Sequence, residues 1–143
     1  MRLYGYENNL ECQVMSASPV GLIQMLCHGA LDSVKEARAY LRTGEIAMRS
    51  SKISKVHAIL TELSVSLDRA KGGEIAAQLG DLYAYMQMRL VEANFRQADE
   101  PLAETERLLG TLTDAWDQCG TEMYGSHFPI PAPENHRVYE FVG

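Results

Sequence analysis

The segment KGGEIAAQLGDLYAYMQMRLVEAN, residues 71–94, is the one around which the chain is organised. After an opening glycine pair it contains no proline, and its apolar residues recur at steps of three and four. Because successive helical residues are rotated by about 100°, these steps place the apolar residues on one face of a helix. We predict that this face is buried, and its members are Ile75, Leu79, Leu82, Met86, Leu90 and Ala93.

The same helix carries a second apolar set on roughly the opposite side: Ala77, Ala84, Met88, Val91 and Phe95. A helix at the surface of a globular protein needs only one apolar stripe, the one that faces the core. We therefore expect the second stripe to be covered either by another part of the chain or by a partner.

Helical periodicity also appears on both sides of this segment. Ser18-Pro19 is typical of a helix start, and the first helix is predicted to end at Thr43-Gly44. A second helix begins at Glu45, has apolar residues seven apart, and is predicted to end at Gly72-Gly73. The last begins at the acidic, proline-containing turn 99–101 and ends at Gly120.

Four helices joined by short connections must turn back beside one another. We predict an all-α fold, an antiparallel up-down-up-down four-helix bundle, formed by residues 18–120. Residues 1–17 lack a sustained period and are predicted to form an irregular N-terminal arm. Residues 121–143 contain alternating prolines, which favour an extended C-terminal tail.

The composition excludes several classes of protein. The chain has 143 residues, about one domain, and a formal net charge of −6 without a cluster of basic residues, so nucleic acid is not an expected partner. The uncharged run 12–31 is too polar to span a membrane, and we do not expect it to be part of a signal peptide, since its apolar part begins only at Val20. We expect a cytoplasmic protein whose three cysteines are unpaired packing residues.

No motif for catalysis was found. None of the four histidines follows a glutamate by three residues, so neither a metal nor a cofactor is expected. Phosphate-binding loops and nucleophile motifs are also absent. Arg89 is the one charge near the buried stripe, and we expect a structural role: either its stem is buried while the guanidinium reaches solvent, or it pairs with an acid of a neighbouring helix. We therefore predict that the protein is not an enzyme. A metal or cofactor bound to the purified protein would instead indicate a helical-bundle enzyme.

The sequence resembles the flagellar secretion chaperones known as FliS. The resemblance extends from residue 6 to about residue 119, with the motifs in the family's order and at nearly its spacing. They are VMSASP at 14–19, LIQML at 22–26, KGGEIA at 71–76, LYAYM at 82–86, RLVEAN at 89–94 and DAW at 114–116.

The resemblance implies a cytoplasmic chaperone that binds the disordered C-terminal segment of flagellin, prevents its premature polymerisation and delivers it to the flagellar export gate without a nucleotide. It also implies that Tyr6, Leu10 and Met15 belong to an arm, or lid, that yields to flagellin. The binding surface would fall on helices two and three, with these residues as candidates: Val56, Ile59, Leu63, Ala76, Leu79, Tyr83, Ala84, Met88 and Val91.

One alternative stays open. The same surface could serve a helical-bundle adaptor that self-associates or binds another component of flagellar export. The two hypotheses differ in whether a flagellin tail alone saturates the surface, and either is compatible with a monomer or a weak homodimer.

Overall fold

The computed structural model describes residues 19–120, which form four helices. These are α1 (Val20–Thr43), α2 (Ile46–Val65), α3 (Arg69–Arg96) and α4 (Asp99–Gly120). Helix α1 packs against α2 and α4, and α3 packs against the same two helices. The predicted antiparallel four-helix bundle is confirmed. The N-terminal arm and the Pro-rich tail lie outside the described residues.

Helix α1 ends where the sequence predicted, at a glycine cap. Gly44 has a φ of 77°, in the left-handed region that glycine enters without a steric penalty. The following amide, Glu45 N, donates to Tyr40 O at 3.0 Å, which satisfies one of the orphan carbonyls at the end of the helix. Ser18, the predicted cap at the other end, lies outside the described residues.

The boundary between α2 and α3 differs from the prediction. Helix α2 ends at Val65 rather than at the glycine pair, and α3 begins before that pair because the Asp68 side chain caps its first turn, accepting from Lys71 N at 3.0 Å. Gly73, with a φ of 59° and a ψ of −134°, produces a kink within α3. The predicted interruption at the glycine pair is present at Gly73, where the backbone leaves the helical conformation; the prediction was wrong in extending α2 past Val65, since a separate turn capped by Asp68 precedes the pair.

The core lies between the four helices and is largely aliphatic, with Tyr83, Tyr85 and Trp116 as its largest members. Five of the six predicted inner residues of α3 are buried. The exception is Ile75, which is 42% exposed because it lies two residues after the kink, at the end of the bundle. None of the four helices described here combines the length and the hydrophobicity of a transmembrane segment.

The cysteines differ from one another. Cys27 is free and fully buried, and burial, reinforced by the nearby charge of Asp117, raises the pKa of its thiol to about 12. Cys119, in contrast, is disulfide-bonded. The prediction of three unpaired cysteines is therefore wrong for Cys119, and an odd number of cysteines could not have excluded one bridge.

Candidate partner-binding surface

Helix α3 presents two opposed apolar faces. Its inner residues Leu79, Leu82, Met86 and Leu90 are completely buried in the core. On the other side, Met88 is 36% exposed, Val91 58% and Phe95 87%, and Ala77 and Ala84 are also exposed. We call these five residues the outer stripe. No described residue of the chain buries it.

Polar contacts fix α3 beside α2 along one flank of the outer stripe. The Gln87 amide Nε2 donates to His57 O at 3.1 Å and to Thr61 Oγ1 at 2.9 Å. One heptad later, Asn94 Oδ1 accepts from Ser50 Oγ at 3.0 Å and from Arg49 Nε at 3.3 Å. Because Val91 follows Gln87 by four residues, it lies next to this seam.

A shallow depression on α2 borders the same seam. Two of its lining residues, His57 and Thr61, are those that Gln87 contacts. The depression is lined by small side chains and by a mixture of polar and apolar ones, without a cluster of charged residues. Its lining residues are Ser54, His57, Ala58, Thr61, Glu62 and Val65. The depression and the outer stripe thus lie on either side of one seam.

The other flank of α3 is held to α4 by ion pairs around Arg89. Its Nε donates to Glu104 Oε1 at 2.8 Å, its Nη1 to Glu92 Oε1 at 2.8 Å, and its Nη2 to Glu100 Oε2 at 2.5 Å. Burial opposes the charged form of the arginine, but the three carboxylates outweigh it and raise the Arg89 pKa. Of the two structural roles that the sequence left open for Arg89, the structure shows pairing with acids of the neighbouring helix α4.

The nine residues predicted to bind a partner do not share one surface. Only Ala84, Met88 and Val91 are exposed. Ile59 is half-buried and faces α1, since a Cβ built on Gly29 would lie 3.7 Å from its Cδ1. The other five are at most 2% exposed, so they cannot contact a partner in this conformation: Val56, Leu63, Ala76, Leu79 and Tyr83.

The predicted lid residues Tyr6, Leu10 and Met15 lie outside the described residues.

Two parts of the surface were missing from the predicted set. Phe95 is the most exposed large apolar residue of residues 19–120; its spacing placed it in the second apolar set, but it was left out of the nine binding candidates. The α2 depression could not have been found from periodicity, because its lining residues are mostly polar or small.

The surface offers no metal-binding chemistry. Within residues 19–120 no three side chains of His, Cys, Asp or Glu are grouped so that they could hold a metal ion. What the surface presents is apolar side chains in a row, bordered by hydrogen bonds between helices. Such a face suits contact with another polypeptide.

Comparison with known proteins supports one family. The family model described as "Flagellar protein FliS" matches residues 2–123. The flagellar secretion chaperone FliS of Salmonella typhimurium is 41% identical over 111 residues, which cover 77% of this chain and 82% of that protein. The chaperone FliSB of Pseudomonas aeruginosa is 38% identical over 109 residues, covering 76% and 86%.

A more distant relative, FliS of Bacillus subtilis, is 32% identical over 114 residues, which cover 80% of this chain and 82% of that protein. The matched region includes all four helices and both faces of α3. The chain therefore belongs to the FliS family of flagellar secretion chaperones.

Proposed function

We propose that the protein is a cytoplasmic export chaperone that binds the C-terminal segment of flagellin on the outer stripe of α3. The observation that carries this proposal is that Met88, Val91 and Phe95 are exposed on a helix whose opposite face is buried from Leu79 onward. Exposed apolar rows of this kind are unfavourable in water and are typical of interaction surfaces.

The geometry fits a segment that orders on binding. Ala77 and Ala84 leave space for close approach of another chain, while Met88, Val91 and Phe95 offer large side chains at helical spacing. An extended or helical peptide laid along α3 could place an apolar residue at each turn and its polar residues toward solvent. A disordered flagellin end bound in this way would be kept from polymerising and delivered to the export gate.

Calorimetry of the full chain tests the proposal. The titrant is a peptide covering about the last forty residues of flagellin from the same organism, long enough to bury a large apolar surface when it orders. We expect saturable one-to-one binding with a negative heat-capacity change, the signature of apolar burial. No binding would reject the flagellin proposal and favour the adaptor.

Matched variants locate the interface. Met88→Glu and Val91→Glu place a charge on the outer stripe, and binding is expected to weaken at least tenfold because the carboxylate would be buried unpaired. Ala39→Glu places the same charge on an exposed position of α1 and is the control. Helical content is expected to be unchanged in all three. Equal weakening by Ala39→Glu would place the interface elsewhere.

A further inference from the structure

One apolar surface is unexplained in the free protein. Phe95 is 87% exposed and Val91 58%, and they continue a row that begins at Ala77. The row extends for about 27 Å, at about 1.5 Å of rise per residue. In the absence of a bound partner, a row of this length would favour self-association.

The chain carries a segment that can reach this row. Helix α4 ends at Gly120, beside the first turns of α1, where Gln24 Nε2 donates to Trp116 O at 3.3 Å. In an antiparallel bundle, α3 begins at the same end. Residues 121–143 would span about 70 Å if extended at about 3.1 Å per residue, so they could cross the end of the bundle and run along α3.

The composition of that segment suits an apolar row. It contains eight large apolar or aromatic residues within an otherwise polar sequence: Met123, Tyr124, Phe128, Ile130, Val138, Tyr139, Phe141 and Val142. Prolines at 129, 131 and 133 restrict the residue before each of them to extended conformations. A restricted segment loses less conformational entropy on docking than an unrestricted one.

We infer that residues 121–143 cover the outer stripe of α3 in the free protein and are displaced when a partner binds. This deepens the proposed function and rests on it for the identity of the displacing partner. The N-terminal arm is the other candidate, since the resemblance implies that Tyr6, Leu10 and Met15 form a lid that yields to flagellin; residues 1–17 contain no proline, so docking the arm would cost more conformational entropy than docking the tail. A second copy would bring another chain of net charge −6 against this one, which opposes docking.

Site-directed photo-crosslinking in the full chain tests the inference without any partner. The photoreactive residue p-benzoylphenylalanine replaces Val91, and the crosslinked peptides are identified by mass spectrometry. We expect crosslinks within one chain to residues 121–143. The control replaces Ala39, which is also exposed and lies near the same end of the bundle, but on α1; it is expected to give no crosslink to the tail.

A second variant shows whether the apolar residues of the tail hold it in place. Phe128→Ser, Ile130→Ser and Phe141→Ser together remove much of its apolar area, so we expect the Val91 crosslink to the tail to fall about tenfold. Crosslinks to residues 1–18, dimers on a denaturing gel, or an absence of crosslinks would each overturn the inference. Because no flagellin is present, none of these outcomes tests the proposed function.

Discussion

Arg89 and Glu104 are joined across the seam between α3 and α4, with Arg89 Nε 2.8 Å from Glu104 Oε1. The same carboxylate oxygen accepts from Tyr85 Oη at 2.7 Å, and Glu104 is only 3% exposed. Glu104 thus has a cation and a hydroxyl as partners inside the bundle. Burial, together with this hydrogen bond, raises the pKa of the Tyr85 hydroxyl, which stays protonated as the donor.

Loss of this buried carboxylate is expected to destabilise the fold strongly. Glu104→Ala leaves Arg89 and Tyr85 without their inner partner and is expected to lower the free energy of unfolding by about 3 kcal/mol. The control is Glu100→Ala, which removes an exposed partner of the same arginine. This variant is expected to change the free energy of unfolding by less than about 1 kcal/mol. Urea denaturation measures both. Equal losses would show that the buried pair contributes no more than the exposed one.

Acid is expected to weaken the contact between α1 and α4. Hydrogen bonds from Arg38 hold the pKa of Asp99 below its ordinary value of 3.8. A carboxyl whose pKa is lowered in the folded state stabilises that state above the unfolded pKa, and this contribution disappears as the pH falls through the folded pKa. We therefore expect the contribution of the pair to be complete near pH 6 and to disappear on acidification below about pH 4.

The variant Arg38→Met removes this partner of Asp99, together with the hydrogen bond that Arg38 donates to Glu106 at 2.9 Å. Without the guanidinium, the pKa of Asp99 returns toward its ordinary value, so the unfolding free energy is expected to fall less between about pH 6 and pH 3 than in the parent protein. The difference is expected to be below about 1 kcal/mol because both side chains are partly exposed. Lys35→Met, at an exposed lysine of the same helix, is expected to follow the parent. An unchanged pH dependence in Arg38→Met would contradict the assignment.

The two faces of α3 are expected to respond differently to truncation. Leu79 is completely buried, so Leu79→Ala is expected to lower the unfolding free energy by about 2–5 kcal/mol. Val91→Ala, on the outer stripe, is expected to change it by less than about 1 kcal/mol. Chemical denaturation followed by circular dichroism compares the two. Similar losses would mean that the outer stripe is packed as tightly as the core.

Substitutions at the C-terminal ends of α1 and α3 are expected to change the stability in opposite directions. Gly44, after α1, and Gln97, after α3, both adopt left-handed conformations, with φ of 77° and 52°. Gly44→Ala introduces a Cβ where that conformation is unfavourable, and Gln97→Gly removes one. We expect a loss and a gain of about 1 kcal/mol respectively, measured as shifts of the urea midpoint. A gain in Gly44→Ala would contradict the capping geometry.

The helices that were predicted correctly have strong local signals at their ends. Gly44 closes α1, and the acidic turn with Pro101 opens α4. Between α2 and α3 the apolar residues seven apart continue to Leu67, which predicts a longer α2 than the helix that ends at Val65. The Asp68 side chain caps a short turn before the glycine pair through its hydrogen bond to Lys71 N, and Gly73 then interrupts the helix as the sequence predicts.

The outer stripe was also predictable, because periodicity gives the direction of each side chain around its helix. Periodicity does not say how far neighbouring helices cover that direction. Tyr83 illustrates this, since it interacts with Cys27 of α1 and Trp116 of α4 and is 1% exposed. Its burial depends on two helices distant in sequence, and no spacing within α3 contains that information.

The way α3 is held has a consequence for recognition. Its inner face is packed, Gln87 and Asn94 attach it to α2, and Arg89 attaches it to α4. The helix is thus attached on three sides, so in the proposed complex it would act as a rigid template and the entropy lost on binding would belong mostly to the bound polypeptide. Affinity would then respond to stiffening of the ligand, for instance by a covalent staple between successive turns, and hardly to further stiffening of the template.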